Sequence, residues 1–196
     1  PLKVERTRAL GAEIIFCGLT FESRYEKLHE LQTERGSVAL HSFDSEETID
    51  ADSTVGLELL ENLDKPFTVL VPASGGGLVA GISRLLKEVR PECEVIAVQP
   101  SRGGAIARSI EAGKRVNVGK FLTIADGLVA SFPGKLTFQL IQEYVDRILL
   151  FEEEEILNAT HFLFHEQKIV AEPASALPVA ALLSGQLNPR HRDVIC

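Results

Sequence analysis

Gly75, Gly76 and Gly77 stand in a row between an apolar run, Phe67–Pro72, and a helix-like segment, Leu78–Val89. In a sheet built of parallel strands, the loop that leaves a strand's carboxyl end opens the next helix. That helix's first backbone N–H groups lack intrahelical acceptors and face whatever lies there. An anion suits such a place. Glycines let the backbone approach a phosphate closely and supply positive φ, and Ser74 adds a hydroxyl. The competing reading is a bare flexible turn; placement between strand and helix favours the phosphate cradle. No Lys-Ser/Thr pair follows, so this is not a Walker loop, and Ala80 stands where G-x-G-x-x-G would need its last glycine. A phosphate carrier other than a nucleotide is the better match.

Other chemistry-bearing residues read as structural. His161 and His165 share a helix face, but Phe162 occupies the place where a metalloprotease motif needs Glu. They are expected to be ordinary half-buried helix histidines. The acidic run Asp44–Asp52 lacks the glycine and terminal Glu of a calcium loop, and reads as solvated loop and helix-start charge. Asp126 in "IADGL" and Glu172 in "AEPAS" flank changes of chain direction and, from spacing alone, read as caps and turn residues.

The elements that must position the glycine loop follow from apolar periodicity. Strands are expected at 13–17, 37–41, 67–71, 94–98 and 147–151. Helices are expected at 21–35, 53–63, 78–89, 103–112, 136–144, over the "EEEEILNATHFLFHEQK" segment, and from Pro173 to a stop at Gly185. Alternation of this kind predicts an α/β protein with a largely parallel sheet covered on both faces. The polar stretch "SFDSEETIDADS" marks the expected domain boundary.

Composition narrows the partners. A net charge of -8 without any Lys/Arg cluster argues against nucleic acid. No apolar stretch reaches membrane-spanning length, so no membrane partner is expected. Cys17, Cys93 and Cys196 are odd in number and form no C-x-x-C pair, which suits a reducing, cytoplasmic setting and disfavours a thiolate zinc site. The chain lacks methionine, begins at Pro1 and ends on "RDVIC", which looks like the opening of a buried strand; it reads as a fragment.

Five stretches, "RALGAEIIFCG", "VPASGGGLVAGI", "TIADGL", "PGKLTFQLIQEYVD" and "KIVAEPASALPVAALLSG", resemble in order and spacing the serine/threonine dehydratase (threonine ammonia-lyase) family, which also contains serine racemase. The resemblance covers essentially the whole chain. It implies the tryptophan-synthase-β-like fold of pyridoxal 5'-phosphate enzymes (fold type II), here incomplete. Residues 1–43 would be the latter part of a small domain and 44–196 most of the large cofactor-binding one. It implies that the backbone amides of Ser74, Gly75, Gly76, Gly77 and Leu78 hold the cofactor phosphate, that Glu172 lies near the pyridine ring, and that Cys196 faces the ring nitrogen as a neutral partner. The implied reaction is β-elimination on L-threonine or L-serine to a 2-oxo acid and ammonia, by an enzyme expected to be a homodimer.

The sequence also departs from the family pattern. The lysine that would carry the Schiff base belongs to a Ser-Phe-Lys-like motif before the glycine loop, and Lys3, Lys27 and Lys65 have no such neighbourhood. The 196 residues alone are therefore expected to be inactive. "DADST", Asp50–Thr54, replaces Ala-Gly-Gln-Gly-Thr, and Ser74 with three glycines replaces four. Gln99 and Ala105 stand where some relatives place metal-binding carboxylates, so no metal site is expected. Phe43, in "HSFD", is closer to dehydratases than to racemases. A non-catalytic phosphate-binding or subunit-contact role and serine racemisation are the alternative readings.

Overall fold

The computed structural model describes residues 2–18 and 21–196. The chain divides into two compact units, Pro1–Leu40 and His41–Cys196. The first holds two helices, α1 (Leu2–Ala9) and α2 (Phe21–Arg35). Gly36, at φ 61°, ends α2 where the sequence placed its stop. Arg35 reaches back to Glu13 at 2.6 Å. The strands expected at 13–17 and 37–41 are absent. A strand needs a partner ladder and a face to bury, and in this unit Phe16, Val38 and Leu40 remain exposed.

The second unit begins with α3 (Glu46–Asn62), then β1 (Thr68–Pro72), α4 (Gly77–Val89), β2 (Glu94–Pro100) and α5 (Ala105–Ala112). It continues with α6 (Lys135–Tyr144), β3 (Arg147–Phe151), α7 (Glu153–His165), α8 (Pro173–Leu183) and β4 (Val194–Ile195). The strands form one sheet in the order β3-β2-β1-β4, and every pairing is parallel. Because successive strand residues face opposite ways, Val69 and Val71 pack with α4 on one face, and Leu70, Ile96 and Val98 pack with α7 and α8 on the other. Both faces are buried, as a parallel sheet requires.

Two elements have bounds other than the sequence suggested. The helix expected from Ser53 starts at Glu46, because Ser45 caps it by accepting from Thr48 N–H at 3.3 Å and Glu46 and Glu47 complement its positive end. The acidic run is thus mostly helix, with Ile49 buried beneath it. Strand β2 runs on to Pro100, two residues past its expected end.

The amino-terminal edge of the sheet is closed by charge. The buried carboxylate of Glu94 accepts from Thr68 Oγ1 (2.9 Å), Arg147 Nε (3.1 Å) and the Arg190 backbone N–H (2.8 Å), tying the entries of three strands to the approach of β4. Asp146 beside it pairs with Lys87 at 2.7 Å and Arg190 at 2.8 Å. Burial alone would raise the Asp146 carboxyl, but the bonds from Lys87 and Val95 N–H and the Arg190 charge hold it below its ordinary value.

Helices α3 and α4 meet at Gly81, where a side chain would begin 2.8 Å from Ser53 N and overlap the Ile49 carbonyl. Gly81→Ala is expected to lower stability by about 1–3 kcal/mol, the usual scale of overpacking, read as a lower urea midpoint at unchanged slope.

His41 Nδ1 accepts the N–H groups of Phe43 (3.1 Å) and Asp44 (2.8 Å), and the ring can do so only while that nitrogen is unprotonated. Burial lowers its pKa, opposed by the charge of Asp44. As pH falls through about 6.5, the ordinary histidine value, the unfolded chain takes a proton that the folded ring resists. Stability present above that pH is therefore lost below it. His41→Asn supplies a non-titrating acceptor and is expected to flatten the fall in urea midpoint between about pH 7 and 5.5, the range that brackets that value; an unchanged slope would show that His41 carries none of it.

Candidate cofactor-binding site

Residues 73–76 lead from the carboxyl end of β1 into α4, and this loop forms one wall of a cleft of about 460 Å³. Ser74, Gly75, Gly76, Gly77 and Leu78 line it, opposite Gly127, Leu128, Glu172 and Ser175. The first backbone bond of α4 runs from Ala80 N–H to the Gly76 carbonyl, so the amides of Gly77, Leu78 and Val79 precede the helix's own ladder. Gly76 sits at φ 103°, and a side chain on it would begin 2.8 Å from Ile141 Cδ1 and 3.0 Å from Thr137 Cβ. Both the conformation and the space strain any other residue type at this position. Backbone polarity is therefore what the loop presents to the cleft.

Phe43 and Asp52 complete that wall. The Phe43 ring lies 2.6 Å from where a Gly75 side chain would start, and stands nearly perpendicular to the His41 ring at 4.7 Å between centroids. The carboxylate of Asp52 lies 2.9 Å from the corresponding point on Gly77. Burial raises the Asp52 pKa. A second negative charge close by would raise it further.

The outer pieces are held by side chains whose partners are mostly remote in sequence. Ser74 Oγ accepts Ala130 N–H at 3.0 Å, joining the loop to the chain two residues past the "TIADGL" segment and leaving its own hydrogen to donate. Gln99, buried at the end of β2, donates to the Ala73 carbonyl (3.0 Å) and accepts from Ile106 and Ala107 N–H, so its amide fixes the loop's entry to the start of α5. Asp44 accepts from Lys135, Leu136 and Thr137 N–H, capping α6 in place of Gly134, which has no side chain to do so. Thr137 Oγ1 in turn donates to the Gly75 carbonyl at 2.7 Å. Sequence spacing carried no signal for these links, most of which join residues 26 or more apart in the chain.

The remaining expected site residues are spread more widely. Glu172 lines the cleft at the N-cap of α8, but its side chain makes no cap bond and has no hydrogen-bond or ion-pair partner among the described residues. The cap-only reading of Glu172 is thus half right: the position is a cap, while the carboxylate faces the cleft. Asp126 turns the chain, its N–H bonded to the Ile124 carbonyl at 3.0 Å. Cys196 follows β4, whose register sets Ile195 beside Val69; it is not among the residues lining the cleft. Its sulfur, partly buried, donates to the Pro178 carbonyl at 3.8 Å, and burial pushes the thiol up to about 11. His161 and His165 stack edge to face on the surface of α7, 5.9 Å apart, exposed and not half-buried. Among the described residues no group of three His, Cys, Asp or Glu could hold a metal ion, and no helix is long and apolar enough to cross a membrane.

A dianionic phosphate tail fits this wall. Glycines allow close approach, unbonded amides donate, and the helix start supplies partial positive charge.

Known proteins are similar to this chain in sequence and in fold. The chain is 40% identical over 182 residues to an L-threonine ammonia-lyase of Thermotoga maritima, covering 93% of this chain and 45% of that protein. It is 35% identical to a serine racemase of Oryza sativa subsp. indica, covering 95% of this chain and 55% of the relative. The structure superposes on the crystal structure of a T.th. threonine deaminase with a TM-score of 0.91 at 37% identity, over 100% of this chain and 64% of that one. The chain spans about half the length of the curated relatives it matches. Its fold is the tryptophan-synthase-β-like α/β fold of its structural neighbours. The family described as pyridoxal-phosphate dependent enzyme matches residues 1–196 throughout, and the chain belongs to that family.

Proposed function

We propose that this chain supplies the phosphate cradle and one wall of the cofactor cleft of a pyridoxal-phosphate enzyme that converts L-threonine or L-serine to a 2-oxo acid and ammonia. One observation carries the reading: the glycine loop at the carboxyl end of β1 opens α4 into a cleft shared with the carboxylate of Glu172, which has no partner among the described residues. In this reading the amides of Ser74 through Leu78 bind the phosphate, Ser74 adds its hydroxyl, and Glu172 lies near the ring. Cys196 is the neutral partner of the ring nitrogen, and its raised thiol pKa keeps it uncharged at neutral pH. The cofactor, when bound, supplies the electron sink for loss of the α-proton and β-hydroxyl.

The two-unit division supports reading the first residues as part of a small domain and the rest as most of the large one. No lysine lines the cleft among the described residues, so the group that handles the substrate's proton is assigned to none of them. A dimer and a cytoplasmic setting belong to the same reading, the latter supported by three unpaired cysteines. Similarity to serine racemases makes racemisation the second reading.

Two measurements test the proposal. The chain is expected to bind pyridoxal phosphate more tightly than pyridoxal, with inorganic phosphate competing, and Gly76→Ala is expected to weaken pyridoxal phosphate at least about tenfold, the scale of one charge-assisted hydrogen bond. Equal affinity for the two compounds would refute the cradle. In the whole protein, L-threonine should yield 2-oxobutanoate and ammonia; D-serine formed from L-serine in their place would favour the racemase.

A further inference from the structure

We propose that Thr137, held in place by Asp44, is a positioning residue that aims the Gly76 amide into the phosphate cradle; this rests on the cradle reading above. One carbonyl is the anchor. Gly75 C=O accepts two bonds from the start of α6, Thr137 Oγ1 at 2.7 Å and Gly134 N–H at 3.2 Å. The described chain contains no cis peptide. In a planar trans unit, C=O and N–H point in opposite directions, so fixing the Gly75 carbonyl against α6 fixes the Gly76 N–H away from it. Gly75 and Gly76 both line the cleft, and the Gly76 N–H has no acceptor among the described residues.

The clamp is itself clamped. Thr137 is fully buried, and its own N–H goes to Asp44 Oδ1 at 3.1 Å, with Leu136 N–H on the same oxygen at 2.8 Å and Lys135 N–H on Oδ2 at 2.8 Å. The Asp44 carboxylate therefore satisfies the first turn of α6. That turn's donors are spent on protein, and its side-chain hydroxyl is left to act on Gly75. The Cβ of Thr137 also stands 3.0 Å from where a Gly76 side chain would start, so the threonine bars the peptide from swinging toward α6 as well as bonding it. Asp44 and Thr137 thus serve the cradle without touching the ligand.

The test separates orientation from mere stability. Thr137→Val keeps the shape and removes the donor; Thr137→Ser keeps the donor. The readout is the ratio of dissociation constants for pyridoxal and pyridoxal phosphate, which isolates the phosphate contribution. Thr137→Val is expected to lower that ratio about tenfold, one charge-assisted hydrogen bond's worth, and Thr137→Ser to restore it. Should Thr137→Val not fold, the wild-type chain gives the answer by ¹⁵N-resolved NMR with inorganic phosphate: the Gly76 amide proton should move downfield together with those of Gly77 and Leu78. Shifts at Gly77 and Leu78 without Gly76, or a Thr137→Val ratio equal to wild type, would overturn the positioning role alone. Absence of any shift in the loop would overturn the cradle, and the positioning role with it.

Discussion

Crowding at the start of α4 is the constraint on which the rest of the second unit depends. Three elements converge there: α3 presses on Gly81, Phe43 on Gly75, and Thr137 and Ile141 of α6 on Gly76. A helix start hemmed in this way has no room for side chains, so it meets the cleft with bare peptide. The polarity of that peptide is then decided by which carbonyls the neighbours claim. Packing and binding are two results of the same close approach.

The two edges of the parallel sheet divide the work. At the amino-terminal edge, Glu94, Arg147, Arg190, Asp146 and Lys87 form a charge cluster that ties strand entries together. A buried carboxylate with several donors is costly to break from one side, which suits a fastener. At the carboxyl-terminal edge, loops replace charge with backbone groups and Glu172. Open α/β sheets place ligands at this second edge, and here the fastening lies at the other.

Most of the second unit was legible in the sequence because strands β1 and β2 and helices α4, α7 and α8 bury continuous apolar runs or stripes whose period declares them, and β3 is an apolar run that ends on buried Phe151. The start of α3 was not, since its first turn is acidic and only Ile49 reaches the core there. Residues 13–17 and 37–41 have strand-like composition, yet composition cannot supply a partner ladder. The glycine loop announced itself by its lack of side chains, and the five-segment resemblance supplied the cofactor. Gln99, Asp44 and Thr137 stayed hidden because their meaning lies in backbone groups brought to them from elsewhere in the chain: Asp44 takes amides 91 to 93 residues away.

The parallel order β3-β2-β1-β4 has a consequence for the route by which the sheet is assembled. Thr68 meets Glu94 across 26 residues, whereas its contact with His191, just before β4, spans 123. Chain-closure entropy separates the two by roughly 1.4 kcal/mol, a modest sum. The β1–β4 ladder pairs Thr68 with Val194 and Val69 with Ile195, and both β4 residues are half-buried. The β1–β4 pairing therefore closes the longer loop, and it is expected to form after the β1–β2 ladder during folding.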